Sequence, residues 1–159
     1  HRPDPDVDYA DTMGGLKALL DDGLVVSVGI SNANPEQIRL AHEILGDGLV
    51  AVQNQFSPKF RSSEPELDLC EELGIAFLPW SPLGGMSEAG DLGARFSVFA
   101  DVAERYDASA QQVCLAWELA KSPVMIPIPG ASRPESVADS ARAVDLVLDP
   151  DDLSLLDAS

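Results

Sequence analysis

Four short apolar runs, each separated from the next by helical periodicity, constrain this chain more than any other feature. They are 24–30 (Leu-Val-Val-Ser-Val-Gly-Ile), 49–53 (Leu-Val-Ala-Val-Gln), 75–80 (Ile-Ala-Phe-Leu-Pro-Trp) and 124–128 (Val-Met-Ile-Pro-Ile). Runs of this kind, without polar alternation, are the pattern of strands buried on both faces of a parallel sheet. Helices are predicted over 9–22, from Pro35 to near Gly46, over 65–73, over 96–106, from behind Ser109 to Leu119, over 134–144, and from Pro150. Asn34 before Pro35 reads as an N-cap with proline at the first helical position. Gly23 and Gly74 read as helix stops. The stretch 81–93 is Gly-rich and aperiodic, too long for an ordinary strand-to-helix loop, and reads as a functional excursion. Strand-helix alternation implies an α/β fold with right-handed crossovers. Both a Rossmann-type sheet and a (β/α) barrel fit it. The Rossmann reading needs Gly-x-Gly-x-x-Gly after the first strand, and Gly29-Ile30-Ser31-Asn32 does not supply it. The favoured fold is a parallel TIM-barrel type, here about half a barrel, because a whole one usually needs about 250 residues. One domain is expected over 1–159.

Composition excludes several roles. Asp and Glu number 27 against 10 Lys and Arg, for a net charge of −17. A phosphate backbone needs clustered cations, so nucleic acid is excluded as a partner. An anionic membrane surface is disfavoured too, and no apolar run approaches the roughly 20 residues that span a bilayer. The surplus acids, among them Asp4, Asp6, Asp8, Asp11, Asp149, Asp151 and Asp152, read as a solvated exterior. Cys70 and Cys114 form no disulfide framework and no zinc spacing, and read as buried thiols of a cytoplasmic protein. Tyr9 reads as a packing residue at a helix start, and His42 as a helix-surface residue. The chain begins with His1 rather than Met, so it is expected to be a processed product or a piece of a longer one.

The strand ends carry the chemistry. The first run leads into Ser31-Asn32, the second ends in Gln53, the third in Trp80-Ser81, and the fourth runs into Pro129-Gly130-Ala131-Ser132-Arg133. In a parallel barrel these tips converge on the C-terminal face, where active sites are built. Ser31, Asn32 and Gln53 together match the carbonyl and NH₂ of a carboxamide. Trp80 offers a flat face to a heteroaromatic ring. Gly130 lets backbone approach a phosphate, and Arg133 at a helix start can chelate one. A ring with a carboxamide and a phosphate-bearing tail describes a nicotinamide dinucleotide.

The same segments resemble the aldo-keto reductase family. His1-Arg2-Pro3-Asp4 resembles the His-x-x-Asp that closes that family's fourth strand. Gly29-Ile30-Ser31-Asn32, Gln53-Asn54-Gln55-Phe56-Ser57, Pro79-Trp80-Ser81-Pro82-Leu83-Gly84 and the segment from Ile126 to Arg133 resemble its motifs after strands five to eight, in that order. The resemblance covers essentially the whole chain. It implies strands 5 to 8 of a barrel whose parent reduces small-molecule aldehydes or ketones with NADP(H). It implies that His1 is the catalytic histidine and that Ser31, Asn32 and Gln53 hold the carboxamide. Trp80 would stack on the nicotinamide, and Ser81, Leu83 and Gly84 would line the pyrophosphate. Gly130, Ser132 and Arg133 would meet the phosphate end, Arg133 favouring NADP over NAD. The family's catalytic Tyr, Asp and Lys have no match here, so the chain alone is expected to be inactive. Ser136 and Ser140 replace the Arg, Gln or His and the Asn that usually contact adenine.

Two other readings stay open: a non-catalytic dinucleotide-binding relative, and an unrelated barrel enzyme for a phosphate ligand. The outer strands near Val25 to Ile30 and Val124 to Ile128 lack protecting charges, so self-association through exposed edges is expected.

Overall fold

The computed structural model describes residues 1–85 and 89–159; Met86, Ser87 and Glu88, inside the predicted excursion, lie outside it. Helix α1 (Tyr9–Asp21) opens where the Asp8 carboxylate accepts the Ala10 N–H at 2.8 Å. It closes at Gly23, whose φ of +67° costs glycine little. Strand β1 is Val28–Ser31, later than the predicted 24–30. The reason lies in the helix end: the N–H groups of Leu24 and Val25 both turn back to the Leu19 carbonyl, so they cannot enter a ladder. Val26 is left 98% exposed.

Helix α2 (Pro35–Leu45) carries a capping box between Asn34 and Gln37 and buries Ile38, Ala41 and Leu45. Strand β2 (Leu49–Gln53), helix α3 (Glu64–Leu73) and strand β3 (Ala76–Phe77) follow. The three strands are all parallel, in the order β1-β2-β3, with Ser31 opposite Gln53 and Val52 opposite Phe77. At Gly29 a Cβ would lie 3.2 Å from the Ala51 carbonyl oxygen, a close approach that favours glycine.

The predicted fourth strand, 124–128, is not a regular strand. It does lie parallel beside β3: the Phe77 N–H donates to the Val124 carbonyl at 2.9 Å, and the Ile126 N–H donates to the Phe77 carbonyl at 2.8 Å. The Ile128 N–H reaches the Pro79 carbonyl at 3.4 Å, but Pro79 has no N–H to donate back to the run, so the ladder is incomplete. The same missing N–H shortens β3, so the predicted 75–80 contracts to two residues. Its path still continues beside β2 through Leu78 to Val52 and Trp80 to Asn54.

The end of the excursion is more ordered than its aperiodic sequence suggests. A 3₁₀ turn (Ala89–Asp91) leads into the one-turn helix α4 (Leu92–Arg95). Gly93 is tolerated there because a Cβ would press on the methyl groups of Ala100 and Ala110, each 3.3 Å away. Helices α5 (Ser97–Arg105), α6 (Ala110–Lys121), α7 (Pro134–Ala141) and α8 (Pro150–Asp157) complete the fold. The predicted 134–144 helix tightens into a 3₁₀ turn after Ala141.

Helix α6 is the central element of the second half, buried from Gln112 to Glu118. Its Trp117 stacks on Phe56 at 5.7 Å and meets Phe99 edge-on at 5.8 Å. Arg61 lies over the Trp117 ring at 4.8 Å and donates to the carbonyls of Leu156 and Asp157, closing the C-terminal end of α8. No helix among the described residues is long and apolar enough to cross a membrane.

Candidate functional site

The C-terminal ends of β1, β2 and the third run meet in one hydrogen-bonded network. The Asn32 N–H donates to the Gln53 backbone carbonyl at 3.0 Å, and the Ser31 hydroxyl donates to the same backbone oxygen at 2.7 Å. Asn32 Nδ2 donates to Ser31 Oγ at 3.1 Å and to the His1 backbone carbonyl at 3.0 Å. Trp80 Nε1 donates to Asn32 Oδ1 at 3.2 Å. Five of the predicted site residues, His1, Ser31, Asn32, Gln53 and Trp80, therefore share one corner of the molecule. His1 contributes its carbonyl to this network, and the residue as a whole is exposed.

Backbone shape makes this possible. Asn32 and Ser81 both have φ of +55°, a left-handed conformation that costs a non-glycine residue about 1 kcal/mol or more. At Asn32 it turns the chain out of the sheet, leaving the amide directed at Trp80. At Ser81 it starts a tight turn, closed by the Gly84 N–H on the Ser81 carbonyl at 2.9 Å, with Gly84 at φ +86°. The buried Cys114 thiol sits under this turn, 3.6 Å from the Pro82 carbonyl.

The turn leads from Trp80 to a second region. Leu83 lines a cleft of about 670 Å³ whose other walls include Gly130, Ser132 and Arg133. A Cβ on Gly130 would meet nothing within 4 Å, so its backbone faces open space. Ser136, Ser140, Glu135 and Asp139 also line this cleft. Asp139 is engaged within the wall: Ser109 Oγ and Gln112 Nε2 each donate to it at 2.6 Å, and Arg142 at 2.9 Å. Gln111 ties the cleft's far side to the excursion by donating to the Ala89 carbonyl at 2.7 Å.

Both cysteines are buried. Burial, with the Glu66 charge adding, pushes the Cys70 thiol up to about 12. Burial and then the Glu118 charge push Cys114 well above the ordinary thiol range against an opposing pull from Arg61. Neither forms a thiolate nucleophile at neutral pH. No group of His, Cys, Asp and Glu among the described residues could hold a metal ion.

Residues 1–159 match the model of the aldo/keto reductase family. The chain belongs to that family. It is 34% identical over 157 residues to an uncharacterized oxidoreductase of Schizosaccharomyces pombe, covering 99% of this chain and 49% of the relative. It is also 34% identical over 142 residues to pyridoxine 4-dehydrogenase of Escherichia coli, covering 89% and 47% respectively. Among solved structures, the Bombyx mori aldo-keto reductase in complex with NADP superposes with a TM-score of 0.81 at 26% identity, covering 98% of this chain and 51% of that one. The parallel α/β arrangement of this aldo/keto reductase chain is thus of TIM-barrel type. The chain spans about half the length of the curated relatives it matches.

Several residues around the site were not legible as functional. Asn54 was visible only as the neighbour of Gln53, yet its side chain binds the backbone of Ala33. Asp139 lies 30 positions from Ser109 and 27 from Gln112, and nothing in a helix-surface acid announces such a pairing.

Proposed function

We propose that this chain is the cofactor-binding half of an NADP(H)-dependent carbonyl reductase acting on small-molecule aldehydes or ketones. The observation that carries the reading is the joining of three strand tips through Ser31, Asn32, Gln53 and Trp80. The donor set fits the group. Asn32 Nδ2 spends both hydrogens on Ser31 and His1, but Oδ1 has one lone pair beyond the Trp80 bond. That lone pair would accept from a carboxamide NH₂, and the Gln53 amide would donate to its carbonyl. Trp80, held by its own N–H, would present a fixed ring face. The dinucleotide, when bound, supplies the hydride equivalent. Ser81, Leu83 and Gly84 would follow the pyrophosphate toward the cleft, where Gly130, Ser132 and Arg133 would meet the phosphate end. Because Asp139 is engaged by Ser109, Gln112 and Arg142, its charge opposes a phosphate less than a bare carboxylate would.

His1 would help orient the carbonyl of the substrate. By resemblance, the proton donor, a tyrosine with its Asp and Lys, belongs to the other half of the barrel. A positioned acid typically contributes about 10²–10⁴-fold, so the chain alone should bind cofactor without turnover. Strands 5 to 8 and a cytoplasmic, reducing setting complete the reading. So does self-association through the outer edges of the sheet, β1 and the run 124–128, where Ile126 is 52% exposed.

An NADPH titration followed by Trp80 emission tests this, with Trp80→Phe as the control that leaves only Trp117. Saturable quenching lost in the control, with no reduction of an aromatic aldehyde by the chain alone, is the expected result. Reduction at ordinary reductase rates would refute the assignment of the acid to another half. Binding of a sugar phosphate in place of NADPH would refute the dinucleotide site.

A further inference from the structure

Where β1 ends, the backbone faces a problem that Asn54 solves. The Asn32 N–H is the last β1 group to bond across to β2, on the Gln53 carbonyl. The left-handed turn at Asn32 then carries Ala33 out of register with the sheet. Ala33 is only 1% exposed, so its N–H and C=O are buried where no strand partner follows. The Asn54 side chain supplies both bonds: its Oδ1 accepts the Ala33 N–H at 3.2 Å, and its Nδ2 donates to the Ala33 carbonyl at 2.8 Å. Asn54 is itself only 6% exposed. Its own carbonyl accepts the Trp80 N–H at 3.0 Å.

One residue therefore grips the Asn32 turn with its side chain and the Trp80 backbone with its main chain. We infer that Asn54 is a positioning residue of the nicotinamide end of the site, holding Asn32 and Trp80 in mutual register while touching no ligand itself. The role of that register in cofactor binding rests on the proposed function; the register itself does not. Only a carboxamide offers a donor and an acceptor at this spacing. Asp loses the donor and adds a buried charge, and Ala loses both bonds.

The two tryptophans make the test local. Trp80 Nε1 donates to Asn32, whereas Trp117 Nε1 donates to Asp157 on the far helix at 2.7 Å. The indole N–H resonances of the ¹⁵N-labelled protein, assigned with Trp80→Phe, report the two sites separately. In Asn54→Ala the Trp80 resonance is expected to move or broaden while that of Trp117 holds. Asn54→Asp should displace the Trp80 resonance as well, again without moving Trp117. NADPH affinity in both variants should fall on the order of tenfold. Unmoved Trp80 resonances in folded variants would overturn the proposal. So would joint movement of both resonances, or failure of both variants to fold, since each would make Asn54 a general stability residue. If the unsubstituted protein fails to bind NADPH, the proposed function falls while the indole readout still judges Asn54.

Discussion

Replacing Asn32 with Ala is expected to weaken NADPH binding by about two orders of magnitude. Three losses combine. The amide's bonds to Trp80, Ser31 and His1 disappear. Alanine must then hold φ of +55°, which asparagine tolerates better. The freed Trp80 ring also loses its fixed plane. Asn32→Gly separates these effects, because glycine keeps the turn without strain and still lacks the amide. Its affinity should lie between the other two. Equal affinities for all three proteins in a fluorescence titration would show that neither the turn nor the amide serves the cofactor.

The second large effect concerns stability. Glu118 is fully buried in α6, and among the described residues neither of its carboxylate oxygens has a hydrogen-bond partner. Burial holds its carboxyl well above the ordinary range. The folded state therefore keeps a proton that the unfolded chain releases near pH about 4.3. Stability from this group is full below that pH and declines as pH rises toward the folded value. Asp157 has the opposite sign. Burial pushes it upward, but hydrogen bonds from Lys121 and the Trp117 indole, with the Lys121 and Arg61 charges, bring it below its usual value. Its contribution is present above the unfolded aspartate value and fades as the medium becomes more acidic. Glu118→Leu should raise stability near neutral pH by roughly 1–3 kcal/mol, since an apolar side chain removes an unpaired buried acid. For a chain of this size that is several degrees in Tm. The variant should also lose the decline above about pH 4.3. Thermal melts between pH 4 and 8 check both effects. An unchanged pH slope in the variant would contradict the account of Glu118.

The element order and the strand-tip residues were readable because their signals are local. Asn34-Pro35 caps α2, glycines close α1 and α3, and apolar runs mark the sheet. The boundaries were less readable because distant or subtle competitors decide them. Leu24 and Val25 look like strand but are captured by the end of α1. The run 124–128 looks like a strand, yet Pro79 on the facing segment has no N–H to complete its ladder. Leu92–Arg95 looks aperiodic because Gly93 serves packing against Ala100 and Ala110 rather than helix propensity. In the site, Ser31, Asn32, Gln53 and Trp80 stood out as polar or aromatic residues after apolar runs. The clamp at Asn54 did not, since its partner is the backbone of Ala33, and backbone contacts leave no mark on side-chain pattern. The left-handed turns at Asn32 and Ser81 were equally hidden.

A crystal structure of the protein with NADP⁺ tests the central claim most directly. The nicotinamide carboxamide is predicted within hydrogen-bond distance of the Asn32 and Gln53 side chains, its ring against Trp80 and its phosphates running past Leu83 toward Arg133. A dinucleotide bound elsewhere, or a carboxamide left in solvent with Asn32 and Gln53 unengaged, would contradict it.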